Sequence, residues 1–342
     1  MSMANLLGMI ARRHNSTVRL ALQLGLLAWL FTLSFGCTWE HRPFLSSSGD
    51  SGWQPWQVVD THTGRVLSSS ELLEELAAYE VVYLGEEHHN RYHVEAALKV
   101  LDGLMAHGLQ PTIGLEMFGW DGQPALDDYV LKDRLGRSQF LEQVRWTQNW
   151  GGAFEDYEPL VAFARGRRLS LLAMNPPRPL IRRIVKMGLE QVRQEQEWVQ
   201  WGLDREEIVD DPAYRRRIID QLQQCHGGGA EEHFRTMYEA SMVRDEGMAK
   251  TLTAGLGALH RETSGSRGIM VSYTGAGHIQ YSLPVPMRVA RRLSGQAKQT
   301  TIYMTSFDGS RIEDIRDLVR EKIADYVWLT PMSPKGPPKR CR

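Results

Sequence analysis

Four strand-like runs of this chain end in residues that can do chemistry. The run VVYLG (81–85) passes directly into Glu86, Glu87 and His88, with His89 next and His93 on the following turn. Glu116 sits inside the apolar run PTIGLEMF (111–118). Asn175 closes RLSLLAMN (168–175) just before Pro176 and Pro177. RGIMVSYT (267–274) gives way to Gly275-Ala276-Gly277-His278, which repeats the glycine-to-histidine spacing of Gly85 and His88. An imidazole and a carboxylate together make either a metal shell or a general-base pair that activates water. The metal set read here is His88, Glu116 and His278; the hydrolytic set adds Glu86. Glycines at such turns let the backbone bend sharply and approach a ligand closely. Burial should raise the pKa of Glu116 unless a cation or metal holds it, and an unpartnered buried carboxylate is costly. Taken singly, each histidine is more simply a satisfied structural residue, but two turns of the same spacing outweigh that reading. His93 reads as a helix-face residue, His89 as a weaker candidate, and Asn175 as a cap on its turn.

These residues need a frame that brings them together. Helical spacing marks 71–79, 93–108, 124–145 with a break at Gly136, 154–166, 179–188 and 285–294. Continuous apolar runs mark strands at 81–85, 111–118, 168–175, 267–274 and 299–307. Residues 231–260 read as one long amphipathic helix broken near Gly255, and a helix and a short apolar piece close the chain. Short buried strands alternating with helices predict an α/β fold, with a mostly parallel sheet flanked by helices. The polar, helical stretch 189–230 reads as an inserted helical subdomain, a lid that extends through the long helix to 260. Right-handed crossovers place the parallel strand ends on one edge, where open sheets bind ligands. The four chemical ends should therefore meet in one cleft.

Of the 342 residues, 42% are apolar and 24% charged, and the net charge is −1. That is globular composition with no basic field for nucleic acid. Ten tryptophans and fourteen methionines suit packing, or an apolar ligand surface. Cys37, Cys225 and Cys341 lie far apart; Cys225 and Cys341 could pair only if the tail folds back. Residues 1–19 carry Arg12, Arg13, His14 and Arg19 and no acid, and 20–36 are almost wholly apolar. That is the pattern of an export signal. Leu33-Ser34-Phe35-Gly36-Cys37 resembles a bacterial lipobox, so 1–37 reads as a signal with lipidation at Cys37; an uncleaved anchor is the alternative. Residues 38–56 read as a flexible tether, 57–329 as the folded domain and 330–342 as a disordered tail.

The segments VVYLGEEHHNRYH (81–93), IGLEMF (113–118), DYEPLVAFARGRRLSLLAMNPPR (156–178), YEASMVRDEGMAKTL (238–252) and YTGAGHIQYSLPVPMRV (273–289) resemble the ChaN-like haem-binding lipoproteins, within the Tiki and erythromycin-esterase superfamily. The resemblance implies an exported lipoprotein on the outer membrane, facing the periplasm and connected with iron acquisition. It implies haem held cofacially between two protomers, with a tyrosine on the iron. Tyr238 is the favoured ligand, with His233 and Met237 as neighbours; Tyr281 and Tyr214 are the other tyrosines considered. Arg215, Arg216 and Arg217 read as a solvated face more readily than as partners for haem propionates. The chain has no CxxCH, which excludes covalent haem attachment. The superfamily also contains hydrolases, whose roles would fall on Glu86, His88, Glu116 and His278, with or without a divalent metal.

Overall fold

The computed structural model describes residues 52–261, 267–334 and 336. Cys37, the signal, most of the tether and the Cys341 end of the tail lie outside the described residues. β3 (Val81–Glu86), β4 (Leu109–Gly119), β5 (Leu171–Asn175), β6 (Arg267–Gly275), β7 (Gln299–Phe307) and β8 (Tyr326–Pro331) run parallel in the order β8-β7-β3-β6-β4-β5. β1 (Val58–Asp60) joins β8 antiparallel, and β2 (Val66–Leu67) pairs with β1. The sheet is thus mixed but mostly parallel, flanked by helices as the alternating pattern predicts.

The chain winds the sheet in two directions. From β3 it steps over β6 to β4 and then to β5, passing through α2 (Arg91–Ala106), α3 (Gln123–Val130) and α6 (Glu158–Arg167). With α1 (Ser69–Leu76), these helices bury Leu72, Leu101, Leu126 and Leu160 on one face. The return through β6, β7 and β8 uses α11 (Glu231–Arg261), α12 (Val285–Arg292) and α13 (Ile312–Arg320). These bury Met248, Leu252, Val289 and Ile315 on the opposite face. Burying one such side chain fully is worth about 1.5–3 kcal/mol. Opposite directions on opposite faces leave a crevice beyond the strand ends of β3, β6 and β4.

Several boundaries differ from the sequence reading for physical reasons. α11 runs 31 residues without a break. Gly255 does not interrupt it; a Cβ there would lie 2.6 Å from Met270 and 2.7 Å from Leu172, so the glycine lets the helix lie close on the sheet. Residues 124–145 divide into α3 and α4 (Arg137–Gln143), with Gly136 capping α4, and the short α5 (Trp146–Asn149) follows. Trp56, read as tether, donates its backbone N–H to Leu329 at 2.6 Å and receives Lys99 over its ring. Thr330 and Pro331, read as tail, pair with Ser306 and Phe307.

The insertion contains α7 (Arg178–Met187) leading into it, then α8 (Leu189–Val192), α9 (Gln196–Gln200) and α10 (Pro212–His226). Leu180, Ile184, Val192, Trp198 and Leu203 pack on Ala240 and Val243 of α11, forming a separate small core. Tyr214, Ile219, Phe234, Tyr238 and Met242 form another.

Gly85 sits where β3 meets the turn after β6. A Cβ there would lie 2.7 Å from Ile279 Cγ1 and 3.0 Å from the Ala276 Cα. We expect Gly85→Ala to destabilise the protein by roughly 1–3 kcal/mol, as overpacking does. Urea denaturation against the wild type measures it; an unchanged midpoint would mean the strand ends are not held this tightly.

Candidate functional site

The site has two halves, one from each face of the sheet. On the α2–α6 face stands Glu86, 2% exposed at the last position of β3. The hydroxyls of Tyr157 and Tyr273 donate to its two oxygens at 2.9 and 3.0 Å. His88 Nδ1 lies 2.8 Å from Glu86 Oε1. Burial pushes the Glu86 pKa up, against these hydrogen bonds. Burial opposes charge on His88, but its hydrogen bond to Glu86 and the charge of Glu116 outweigh burial and raise its pKa. The His88 ring stands edge-on to Trp150 at 4.9 Å, and its side chain is 45% exposed. Its Nε2 has no hydrogen-bond partner among the described residues.

The other half belongs to the α11–α13 face. Glu116 is 1% exposed and accepts the Gly275 N–H at 2.6 Å and an Arg244 N–H at 2.5 Å. His278 Nε2 lies 3.3 Å from the same carboxylate, and its Nδ1 lies 2.5 Å from Asp245. Asp245 in turn accepts the Tyr214 hydroxyl at 2.6 Å. Burial would raise the pKa of Glu116, yet His278, Arg244 and His88 together hold it well below the ordinary value. Burial would likewise lower the pKa of His278, but Glu116 and Asp245 lift it to about 9. Both nitrogens of His278 therefore carry protons directed at carboxylates at neutral pH.

Between the halves lies a cleft of about 490 Å³, a usual size for a small-molecule site. Glu116, His88, His278, Trp150, Arg178 and Arg244 are among its lining residues. Asn175 also lines it, donating to the Glu116 backbone carbonyl at 2.6 Å and facing Arg244. The structure thus brings together His88, Glu116 and His278, with Glu86 behind His88.

Other candidates land elsewhere. His89 reaches the cleft wall in the left-handed region (φ 63°), with Nδ1 2.7 Å from Asp156. His93 is buried, and its Nδ1 accepts the Glu87 N–H at 2.9 Å. Burial lowers its pKa to about 4, so it is a neutral structural pin. Glu87 turns away to bind Thr305 and Ser306. Tyr238 is buried in the insertion core, its hydroxyl donating to Asp210 at 2.5 Å. Tyr281 donates to Glu321 at 2.8 Å with Arg217 over its ring, and His233 is exposed. None of these three lines the cleft. Arg215 is held by Asp210 and Glu231, away from the cleft.

His88, Glu116 and His278 converge, but their lone pairs do not. Among the described residues, no group of three or more His, Cys, Asp or Glu side chains could hold a metal ion. Arg244 and the His278 imidazolium occupy the positions on Glu116 that a divalent cation would need. Arg244, Asp245, Tyr157 and Tyr273 escaped the sequence reading. Tyr273 was accessible in principle: it lies two residues before Gly275, which pairs with Glu86, so both project to one face.

The family described as "Haem-binding uptake, Tiki superfamily, ChaN" matches residues 72–289. The chain belongs to this family. A solved structure of ChaN from Campylobacter jejuni, titled for cofacial heme binding, aligns at TM-score 0.58 with 17% identity, covering 79% of this chain and 95% of that one. This is the same fold. The Arabidopsis thaliana protein RETICULATA-RELATED 5, chloroplastic, is 22% identical over 286 residues, 76% of this chain. The chain spans 35% of that relative's length. An erythromycin esterase in its open conformation aligns at TM-score 0.39 with 16% identity, over 69% of this chain and 72% of that one, a likeness too weak to bear on chemistry.

The charged His278 has a measurable signature. Its pKa rises from 6.5 to about 9 on folding, so its contribution to stability is complete below about 6.5 and lost as pH climbs through about 9. We expect wild-type stability to fall between these values more steeply than that of His278→Gln. Denaturation at several pH values checks this; parallel curves for the two proteins would place the proton elsewhere.

Proposed function

We propose that the cleft binds haem, with His88 Nε2 as the atom that would hold its iron. The observation that carries this reading is the state of the His88 ring. Its Nδ1 is pinned on a buried carboxylate while its Nε2 opens on the cleft. Metal-bound histidines typically have such a partner, which fixes the tautomer and raises the basicity of the ligating nitrogen. Gly275 supports the fit, because a Cβ there would stand 2.7 Å from His88 Cε1 and crowd the ring. When bound, haem would supply an iron that takes a nitrogen or oxygen ligand from the protein. Tyr238, the ligand favoured from the resemblance, and Tyr281, also considered, lie outside the cleft, which is why His88 takes their place in this reading.

The wider role follows from the N-terminal sequence and the family. The chain is an exported lipoprotein anchored through Cys37, on the outer membrane and facing the periplasm. It holds haem for iron acquisition, and two copies close around the ligand. Two acyl signals bind a membrane stably where one is marginal. No helix among the described residues is long and apolar enough to cross a membrane, and 20–36 lie outside them.

A hydrolase remains the second reading, favoured by one observation: two imidazole–carboxylate pairs, Glu86–His88 and Asp245–His278, open on a single cleft. There His88 would take a proton from water while charged His278 and Arg244 stabilise developing negative charge.

Hemin titration of the full chain, followed by the Soret band, separates the two. We expect His88→Ala to weaken hemin binding at least ~10-fold and Tyr238→Phe to leave it intact. Loss in Tyr238→Phe with full binding in His88→Ala would overturn the assignment. Turnover of a chromogenic ester without hemin, abolished in both His88→Ala and His278→Ala, would establish the hydrolase instead. Labelled palmitate should enter the wild type and not Cys37→Ser.

A further inference from the structure

The wall of the cleft formed by α7 carries a pattern that neither the iron ligand nor the Glu116 cluster uses. Arg178, Ile181, Arg182 and Val185 all line the cleft. Their spacing is i, i+3, i+4 and i+7, so they form one stripe along the helix. The opposite side, Leu180 and Ile184, is fully buried in the insertion core. Cation and apolar side chain therefore alternate along a face turned to the ligand space. Val185 is 42% exposed, an unusual place for a valine on a helix whose other face is already packed.

Among the described residues the cations of this wall lack counter-ions. Arg178 spends one nitrogen on the backbone carbonyls of Asn149 and Trp150, at 3.5 and 2.7 Å, and meets no carboxylate among the described residues. Arg182 has no hydrogen-bond or ion-pair partner among the described residues. Arg244 is committed to Glu116. Burial, and then the charges of Arg182 and Arg244, lower the pKa of Arg178.

We propose that this stripe is a carboxylate-binding subsite: Arg182, backed by Arg178, clamps an acid group of the ligand while Ile181 and Val185 cover its apolar body. Arginine presents a rigid fork that matches a carboxylate with two parallel hydrogen bonds. The ligand class is an apolar or aromatic molecule bearing a carboxylate. The inference deepens the haem reading, in which the acid groups are the porphyrin propionates. It also stands apart from that reading, because the stripe requires an amphiphilic acid and not a metal.

Two probes test it on the full chain, with Arg182→Ala as the variant. Arg182 is exposed and has no hydrogen-bond or ion-pair partner among the described residues, so its removal should leave folding intact. The first probe compares hemin with hemin dimethyl ester, in which both acids are masked. We expect hemin to bind roughly tenfold tighter than its ester, and Arg182→Ala to lose most of that preference. The second compares 1-naphthoate with methyl 1-naphthoate by the shift in thermal midpoint. The acid should stabilise the wild type more than the ester does, and Arg182→Ala should abolish the difference. Hemin and its ester bound equally well would overturn the subsite and leave the haem reading standing. No Soret shift from hemin, together with a naphthoate preference lost in Arg182→Ala, would overturn haem and keep the subsite. Absence of any acid preference with both probes removes the subsite outright.

Discussion

The arrangement of this cleft depends on a carboxylate placed where water cannot reach it. Glu116 lies in the middle of the sheet's carboxyl edge and is ionised there. A charge so buried costs several kcal/mol unless it is paired and hydrogen-bonded. Its partners come from two distant parts of the chain: Gly275 at the end of β6 with His278 in the turn that follows, and Arg244 from the long helix. Each partner is fixed in turn. Arg244 faces Asn175, and His278 is held by Asp245. Satisfying one carboxylate thus locks β4, β5, β6 and α11 together at their common end. The unbroken run of α11 is part of this, since a break within its central turns would release both Arg244 and Asp245.

That helix also carries the link to the insertion. Three consecutive residues point three ways. Arg244 reaches Glu116, Asp245 reaches His278 and Tyr214, and Glu246 is buried among Arg288, Arg291 and Arg292. Tyr214 is fully buried on α10, so the Asp245 that orients His278 is itself oriented by the insertion. Arg292 extends the ion-pair network to Glu206, and Lys250 reaches the same carboxylate. The helical insertion, read from sequence as a lid, is joined to the site by hydrogen bonds and ion pairs as well as by its small apolar cores. Partly satisfied buried networks are costly, and here Arg288 Nη2 and Arg292 Nε are buried without a hydrogen-bond partner among the described residues.

How much of this the sequence disclosed follows from the range of each signal. Five of the six parallel strands were legible because apolar runs of five to nine residues declare themselves locally, whereas β8 was read only as a short apolar piece. The meeting of His88, Glu116 and His278 was legible because strand ends share an edge, a rule that needs no coordinates. Arg244 and Asp245 were not, because helical periodicity fixes which residues share a face but not which neighbouring element that face meets. Tyr238 illustrates the same gap from the other side. A tyrosine beside a histidine on a long helix offers ligand chemistry, but its turn of α11 faces α10 and Asp210 rather than the cleft. The antiparallel β1 and β2 escaped because two- and three-residue strands carry no period at all.

The two glycine–histidine turns look alike in sequence and differ in what they leave free. His278 has carboxylates at both nitrogens, so it is held as a cation and has no lone pair to offer. His88 has a carboxylate at one nitrogen only, and that carboxylate is itself pushed toward its neutral form by burial. Glu86 therefore holds the Nδ1 side of the His88 ring, 2.8 Å away. A ligand that takes the Nε2 lone pair need not disturb that contact, because Nδ1–H can stay on Glu86. The two phenols that donate to Glu86 keep its carboxylate fixed as this happens. One turn thus supplies a fixed positive charge and the other an available base, and the difference arises from the faces of the sheet on which their carboxylates lie.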